Sequence, residues 1–505
     1  MSAADRMHWV IFAAALAAFL AWPFGGFDSI HGDNICQVAY WRVLLHPHLV
    51  GAIGASSPKL GITLVLGLTY DLSDLLFHST VLIRVVLAIF AAFLVSSTAR
   101  IAGDLAGPTA AVLGAAYLVW GTPMAEMFVG GTSMVLFLPL LLSGVRQFAQ
   151  GRPTRGAALL GCSSLFRIES IFVLAWLSIS EGLFRRRWRL FWTCVTIMGA
   201  VSLAVIGFNF ALQGDLSRFN AGGPQTGYVF APESSVRVRF TQALLFVYQS
   251  TRIVVFEECR WPYLAVAGLG MLLLARQRRV YLAAVIGIPL FLVTYLVGSG
   301  DSSASRWFEF LIPFVAAFGV AGVVSAVRIL GRDVLSPRVF RVTSRAAMCA
   351  AALLLAGVLV TMVRTAGPGW GRAPFTVDAL RFLREPLIPK GAGVLIDDDI
   401  TYGIVIREPD FFRRVTALPY FNIKDDEWRR RILDDTDYII VSKREYPFYY
   451  LLYDPVGRGN SDPFRRAISQ MAAGAPSQRV YDRQLVPIVN DKRWLIVKVG
   501  HIERS

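Results

Sequence analysis

Apolar runs of roughly 17 to 25 residues, the length an α-helix needs to cross a bilayer core, recur from Met7 to Val363 and stop after Arg364. The pattern predicts an α-helical polytopic membrane body over residues 1–363 and a soluble domain over 364–505. Crossings are expected at roughly 8–24, 79–99, 106–122, 132–147, a pair within 156–183, then 190–211, 259–275, 280–297, 307–327 and 346–363, about eleven in all. The pair stands apart, because GAALLGCSSLF and SIFVLAWLSISEGLF are each short for a full span and Arg167 and Glu169 separate them. Charges between two half-helices suggest a shallow hairpin whose tip reaches an aqueous cavity; a single long tilted helix with a snorkelling Arg is the other reading.

Two long segments, 25–78 and 212–258, interrupt the rhythm. The first contains SSPKLGITLVLGLTYDLSDLLF, an amphipathic stretch suited to lying in the membrane interface. The second joins Gly-rich AGGPQTGY to RFTQALLFVYQSTRIVVFEE, a flexible loop before a partly buried helix. After about Arg372 the rhythm shortens: DALRFLREPL, GVLIDDD, RRVTAL, DEWRRRILDDT, DYIIVSK, DPFRRAISQMA and RWLIVKVG alternate helix and strand signals, as in a small α/β layer domain.

Composition sharpens this picture. The chain is 55% hydrophobic and 17% charged, more apolar material than a soluble core of 505 residues needs. Its net charge of +15 invites a nucleic-acid reading. The cations fall instead in short loops: Arg146/Arg152/Arg155, Arg185/Arg186/Arg187/Arg189, Arg276/Arg278/Arg279 and Arg328/Arg332/Arg338/Arg341/Arg345, where they orient membrane segments. With those loops and the N-terminus inside, the C-terminal domain lies outside. The N-terminal run reads as a retained first crossing, since no small-residue cleavage site follows it. Five cysteines without C-x-x-C spacing indicate neither a disulfide scaffold nor a cysteine metal site, and GPGWG at 367–371 lacks the context of a nucleotide-binding loop.

Candidate chemistry concentrates in FGGFDSIHGDNICQVAYWRVLLHPHL, after the first crossing. A carboxylate beside the membrane is costly and asks for a reason. Asp33 fits two, as the N-cap of the helix that follows or as a catalytic base. His31, His46 and His48 gather near Asp28 and Asp33, but HPH lacks the i, i+4 spacing of a helical metal pair, and no metal site is assigned. Asp397, Asp398 and Asp399 end a predicted strand and read as caps for the next helix.

These motifs resemble the polyprenyl-phosphate-sugar glycosyltransferases of the GT-C superfamily, related to protein O-mannosyltransferases and the lipid A aminoarabinose transferase. That family carries an Asp-Glu pair after its first crossing and then an Ala-Arg-x-Leu-Leu-x-Gly-His run. Here Asp33, Arg42, Leu44, Leu45 and His48 take the matching places without a gap, whereas Asn34 replaces the second acid and Pro47 the Gly. Ser57-Pro58-Lys59-Leu60 is similar to the start of the family's second juxtamembrane helix. Arg167 and Glu169 match its Arg-Pro-Glu segment with Ile168 in place of Pro, and Arg306-Trp307 its late Arg-Tyr helix start.

The resemblance implies an inverting transfer of a sugar from a polyprenyl-phosphate donor to a lipid, glycan or protein acceptor, on the outer face of a bacterial cytoplasmic (inner) membrane in the cell envelope. It implies Asp33 as catalytic base, and Arg42, Lys59, Arg167 and Arg306 as holders of the donor phosphate. Asp28, His48, Glu169 and Asp301 stand as supporting or substrate-binding residues. No nucleotide, flavin or haem is implied; a divalent cation, Mg or Mn, remains open, and the departure at Asn34 weighs against a role needing two adjacent carboxylates. Two other classes share features of the sequence. A multi-pass transporter or flippase would also show a broken hairpin and intramembrane charge, though no half-to-half symmetry is visible. A diphosphate-carrier-dependent polysaccharide ligase or polymerase differs mainly in donor and acceptor.

Overall fold

The structure is a computed structural model that describes residues 3–21, 32–46, 59–78, 81–124, 133–213, 234–259, 263–299, 308–334, 336–365, 387–389, 391–396, 414–417, 433–443, 463–492 and 494–501. Apolar sequence becomes helix throughout the first part: α1 (Ala3–Ala21), α2 (Gly32–Leu45), α3 (Leu60–Phe77), α4 (Val81–Ala106), α5 (Pro108–Trp120), α6 (Ser133–Ala149), α7 (Pro153–Phe166), α8 (Ser170–Leu177), α9 (Trp188–Gln213), α10 (Val236–Arg252), α11 (Tyr263–Leu274), α12 (Arg278–Ser299), α13 (Leu311–Val334) and α14 (Pro337–Thr365). Local chemistry sets several boundaries. Gly107, at φ 81°, turns α4 into α5, and Pro108 then occupies a first-turn position that needs no N–H. Ser235 caps α10 by accepting from Val238 N–H.

Six helices among the described residues are long and apolar enough to cross a membrane: Leu60–Phe77, Val81–Ala106, Trp188–Leu212, Arg278–Gly298, Phe308–Arg332 and Pro337–Arg364. Five further apolar helices, Met7–Ala21, Pro108–Trp120, Ser133–Ala149, Ser170–Leu183 and Tyr263–Leu274, are shorter. The chain is thus a helical membrane protein, and the count of eleven does not follow from helix length. The stretch expected in the interface is one of the six: its apolar residues form 18 unbroken helical positions despite Tyr70, Asp71, Ser73 and Asp74. The expected break in 156–183 is present. Arg167 is extended (φ −149°, ψ 119°), Ile168 and Glu169 turn, and α8 restarts, which excludes one continuous helix.

Several helices meet at backbone distance. A Cβ added to Gly319 of α13 would lie 2.6 Å from Leu264 O of α11, and one on Gly322 would lie 2.4 Å from Ala267 O. Only hydrogen fits between these two helices, the close contact that small residues permit where apolar lipid supplies no hydrophobic drive. α2 and α3 run parallel: Gln37 meets Lys59 and Thr63, while Trp41, one turn on, meets Gly67 and Asp71.

The described residues of the C-terminal region form a six-stranded mixed sheet and one helix, α15 (Pro463–Ala472). Strand order is β2 (Arg414–Ala417), β1 (Gly393–Ile396), β3 (Tyr438–Ser442), β6 (Trp494–His501), β5 (Arg483–Asn490) and β4 (Gln478–Val480). The first three run parallel and β6, β5 and β4 pair antiparallel. The expected strands at GVLI, RVTA, YIIVS and WLIVKVG are present; the helix expected at DALRFLREPL falls mostly, and Asp397–Asp399 wholly, outside the described residues. The β4–β5 hairpin was not expected, and Pro487 explains why. Proline marks a break in most strand patterns, and here it sits beside a register shift between Pro487 and Val489. One face of the sheet, Leu395, Ile439, Val441, Leu495 and Val497, packs with Phe464, Ile468 and Met471 of α15. The alternate face, Val394, Ile440, Trp494 and Ile496, belongs to the same continuous apolar core as the helical body.

Candidate functional site

Lys59 precedes the first turn of α3, Arg167 closes α7, and Ser133 opens α6. The fold brings all three together: Lys59 Nζ lies 3.4 Å and Arg167 Nη1 3.3 Å from Ser133 Oγ. Two cations far apart in the chain thus converge on one hydroxyl. Each is held in place separately. Gln37 of α2 accepts from Lys59 N–H at 2.7 Å and from Thr63 O–H at 2.9 Å, with no exposed surface of its own. Arg167 donates from Nε and Nη2 to Glu169 Oε1 at 3.0 and 2.6 Å, lies over the Phe137 ring at 5.4 Å and reaches Met134 Sδ at 3.4 Å. Ser163 Oγ and Ser170 Oγ, 2.8 Å apart, tie the helices across the Arg167 break.

Glu169 pairs with Arg167, whereas Lys59 has no bonded carboxylate among the described residues. The Arg167 and Glu169 side chains are both nine-tenths buried, where an unbalanced charge is expensive. An anion seated beside Lys59 would balance its charge, and the neighbouring Arg167 could add N–H donors to it.

Arg42 is placed elsewhere. It pairs with Asp71 of α3, Nη2 to Oδ1 at 3.2 Å, lies 5.2 Å from the centre of the Tyr70 ring, and shares that carboxylate with Trp41, whose Nε1 donates to Oδ2 at 2.6 Å. Asp71 stands about two turns along α3 from Thr63, so Arg42 is a strut between α2 and α3, set apart from the Lys59–Arg167 pair. Asp33 stands in the first turn of α2, one turn before Gln37; its side chain lies outside the described residues, as do Asp28, His48, Asp301 and Arg306 entirely. Of the histidine cluster only His46 is described, and among the described residues no three His, Cys, Asp or Glu side chains group as metal ligands.

Sequence reasoning missed Gln37, Ser133 and Asp71. Gln37 and Asp71 carried a readable signal, being polar positions within apolar helices, where each needs a partner. Ser133 carried none, because a small hydroxyl bonds readily within a membrane helix. The chain matches no model of a known protein family and no curated protein.

Proposed function

We propose that the protein is an inverting glycosyltransferase that moves a sugar from a polyprenyl-phosphate donor to a lipid, glycan or protein hydroxyl on the outer face of the cytoplasmic membrane. The observation that supports this is the meeting of Lys59 and Arg167 at Ser133, with no carboxylate bonded to Lys59 among the described residues. A lipid phosphate is already ionised as a leaving group, so it needs fixed positive charge rather than an acid. Asp33, one helical turn from Gln37, is the proposed base. Its carboxylate takes the acceptor's proton as the acceptor oxygen bonds to the anomeric carbon, the bond from that carbon to the phosphate oxygen breaks, and the configuration inverts. Glu169 positions Arg167, and Gln37 positions Lys59. Arg306, Asp301, Asp28 and His48 keep their proposed places around donor and acceptor, and a divalent cation is an optional addition.

In this reading α1, α4 to α9 and α11 to α14 are the eleven crossings, α2 and the parallel α3 lie along the outer face although α3 is long enough to cross, and the C-terminal sheet is outside. The broken α7–α8 segment favours a second reading, a carrier, since charge at a helix break also lines transport paths. Incubating the purified chain with radiolabelled polyprenyl-phosphate sugars and candidate acceptors separates the two. Asp33→Asn should lower sugar release by about 100-fold or more while leaving the protein monodisperse. Undiminished release by this variant dismisses Asp33 as base, and no release with any donor, acceptor or added cation favours the carrier.

A further inference from the structure

Helix α8 continues as a π-helical segment, Ser178–Leu183, and turns into α9 through a run of arginines. Arg185 Nη1 is paired with Glu181 Oε2 at 3.0 Å, whereas Arg186, Arg187 and Arg189 have no carboxylate within ion-pair distance among the described residues. The turn is built to present them. Arg186 adopts a left-handed conformation, φ 54°, uncommon for a residue with a Cβ; its N–H donates to Leu183 O at 3.0 Å and that of Arg187 to Gly182 O at 2.7 Å. The first intrahelical bond of α9 runs from Phe191 N to Arg187 O at 3.0 Å, so the N–H groups of Trp188, Arg189 and Leu190 open toward the same turn.

These residues, with Thr193 of α9 and Thr154 of α7, line an open basin of about 570 Å³. Around it Phe184, Trp188 and Trp192 are 76%, 53% and 60% exposed. Aromatic rings beside cations are the composition of a membrane interface, and α9 is itself a candidate span. We propose that this basin holds the phosphate headgroup of an anionic membrane lipid, with Arg186, Arg187 and Arg189 and the first N–H groups of α9 facing the phosphate, and the aromatic rim against the glycerol and upper acyl chains. Orienting a helix requires only charge in the loop; a concavity that gathers the charge beside a helix N-terminus adds a place for a phosphate.

The test uses the purified full chain in neutral detergent and native mass spectrometry with phosphatidylglycerol, phosphatidylcholine or soluble glycerol 3-phosphate. Phosphatidylglycerol adducts should exceed phosphatidylcholine adducts, and Arg186→Gln/Arg187→Gln/Arg189→Gln should weaken them by about tenfold or more. A control with the same charge loss, Arg276→Gln/Arg278→Gln/Arg279→Gln, should keep them. Equal binding of the two lipids, or equal loss in both triple variants, overturns the proposal, and competition by glycerol 3-phosphate as strong as by lipid reassigns the basin to a soluble phosphate. If the triple variant loses monodispersity, the three single Arg→Gln variants carry the test: about a twofold or larger loss in at least one supports the site, and no loss in any overturns it.

Discussion

The Arg167–Glu169 pair stabilises the turn between α7 and α8 only as long as both members remain, because each neutralises a charge that its surroundings solvate poorly. Glu169→Gln should therefore lower stability by about 3 kcal/mol, read as a drop of several degrees in the thermal midpoint of the purified protein, and adding Arg167→Met should recover part of the loss. An unchanged midpoint in the single variant would mean that another anion already balances Arg167. Gln37→Leu should cost about 1–3 kcal/mol by leaving Lys59 N–H and Thr63 O–H without their shared acceptor, a loss that Gln37→Glu should not reproduce in full. Charged residues of the site were readable because they interrupt apolar sequence: Lys59, Arg167 and Glu169 stood out in the sequence and meet in the fold. Arg42 stood out equally and is a strut, since sequence gives a charge's position along a helix but not its partner on the next one, here Asp71.

At the scale of elements, the apolar period located the helices well and their neighbours poorly. That α2 and α3 lie parallel, or that α11 meets α13 through glycines, depends on which faces match. Gly322→Ala should destabilise by about 1–3 kcal/mol, because the new methyl collides with the Ala267 backbone rather than with a side chain that can rotate. Gly270→Ala, on the same helix as Ala267 but with nothing within 4 Å, should be neutral or stabilising by about 1 kcal/mol. Thermal midpoints of the two variants side by side decide it; equal shifts would argue against the close crossing. The β4–β5 hairpin escaped the strand pattern for a similar reason. Its irregularity at Pro487 is absorbed by the edge of a mixed sheet, and sheet position is a property of the whole domain.

Across the whole molecule, the division into an apolar body and a polar C-terminal region was evident in the sequence, but the relation between the two was not. The strands carry apolar residues on both faces, and only one face is covered by α15. The other, with Val394, Ile440, Trp494 and Ile496, continues the core of the helical body. The C-terminal region is therefore poorly suited to an independent life. A protease cutting just after Thr365 would release a fragment with an indole and three aliphatic side chains newly wet, and such a fragment should self-associate when its sedimentation is measured at rising concentration. The same surface limits how the gene can be recombined: a foreign C-terminal sheet joined to this body would have to carry apolar residues where Val394, Ile440, Trp494 and Ile496 stand, or leave part of the shared core unfilled.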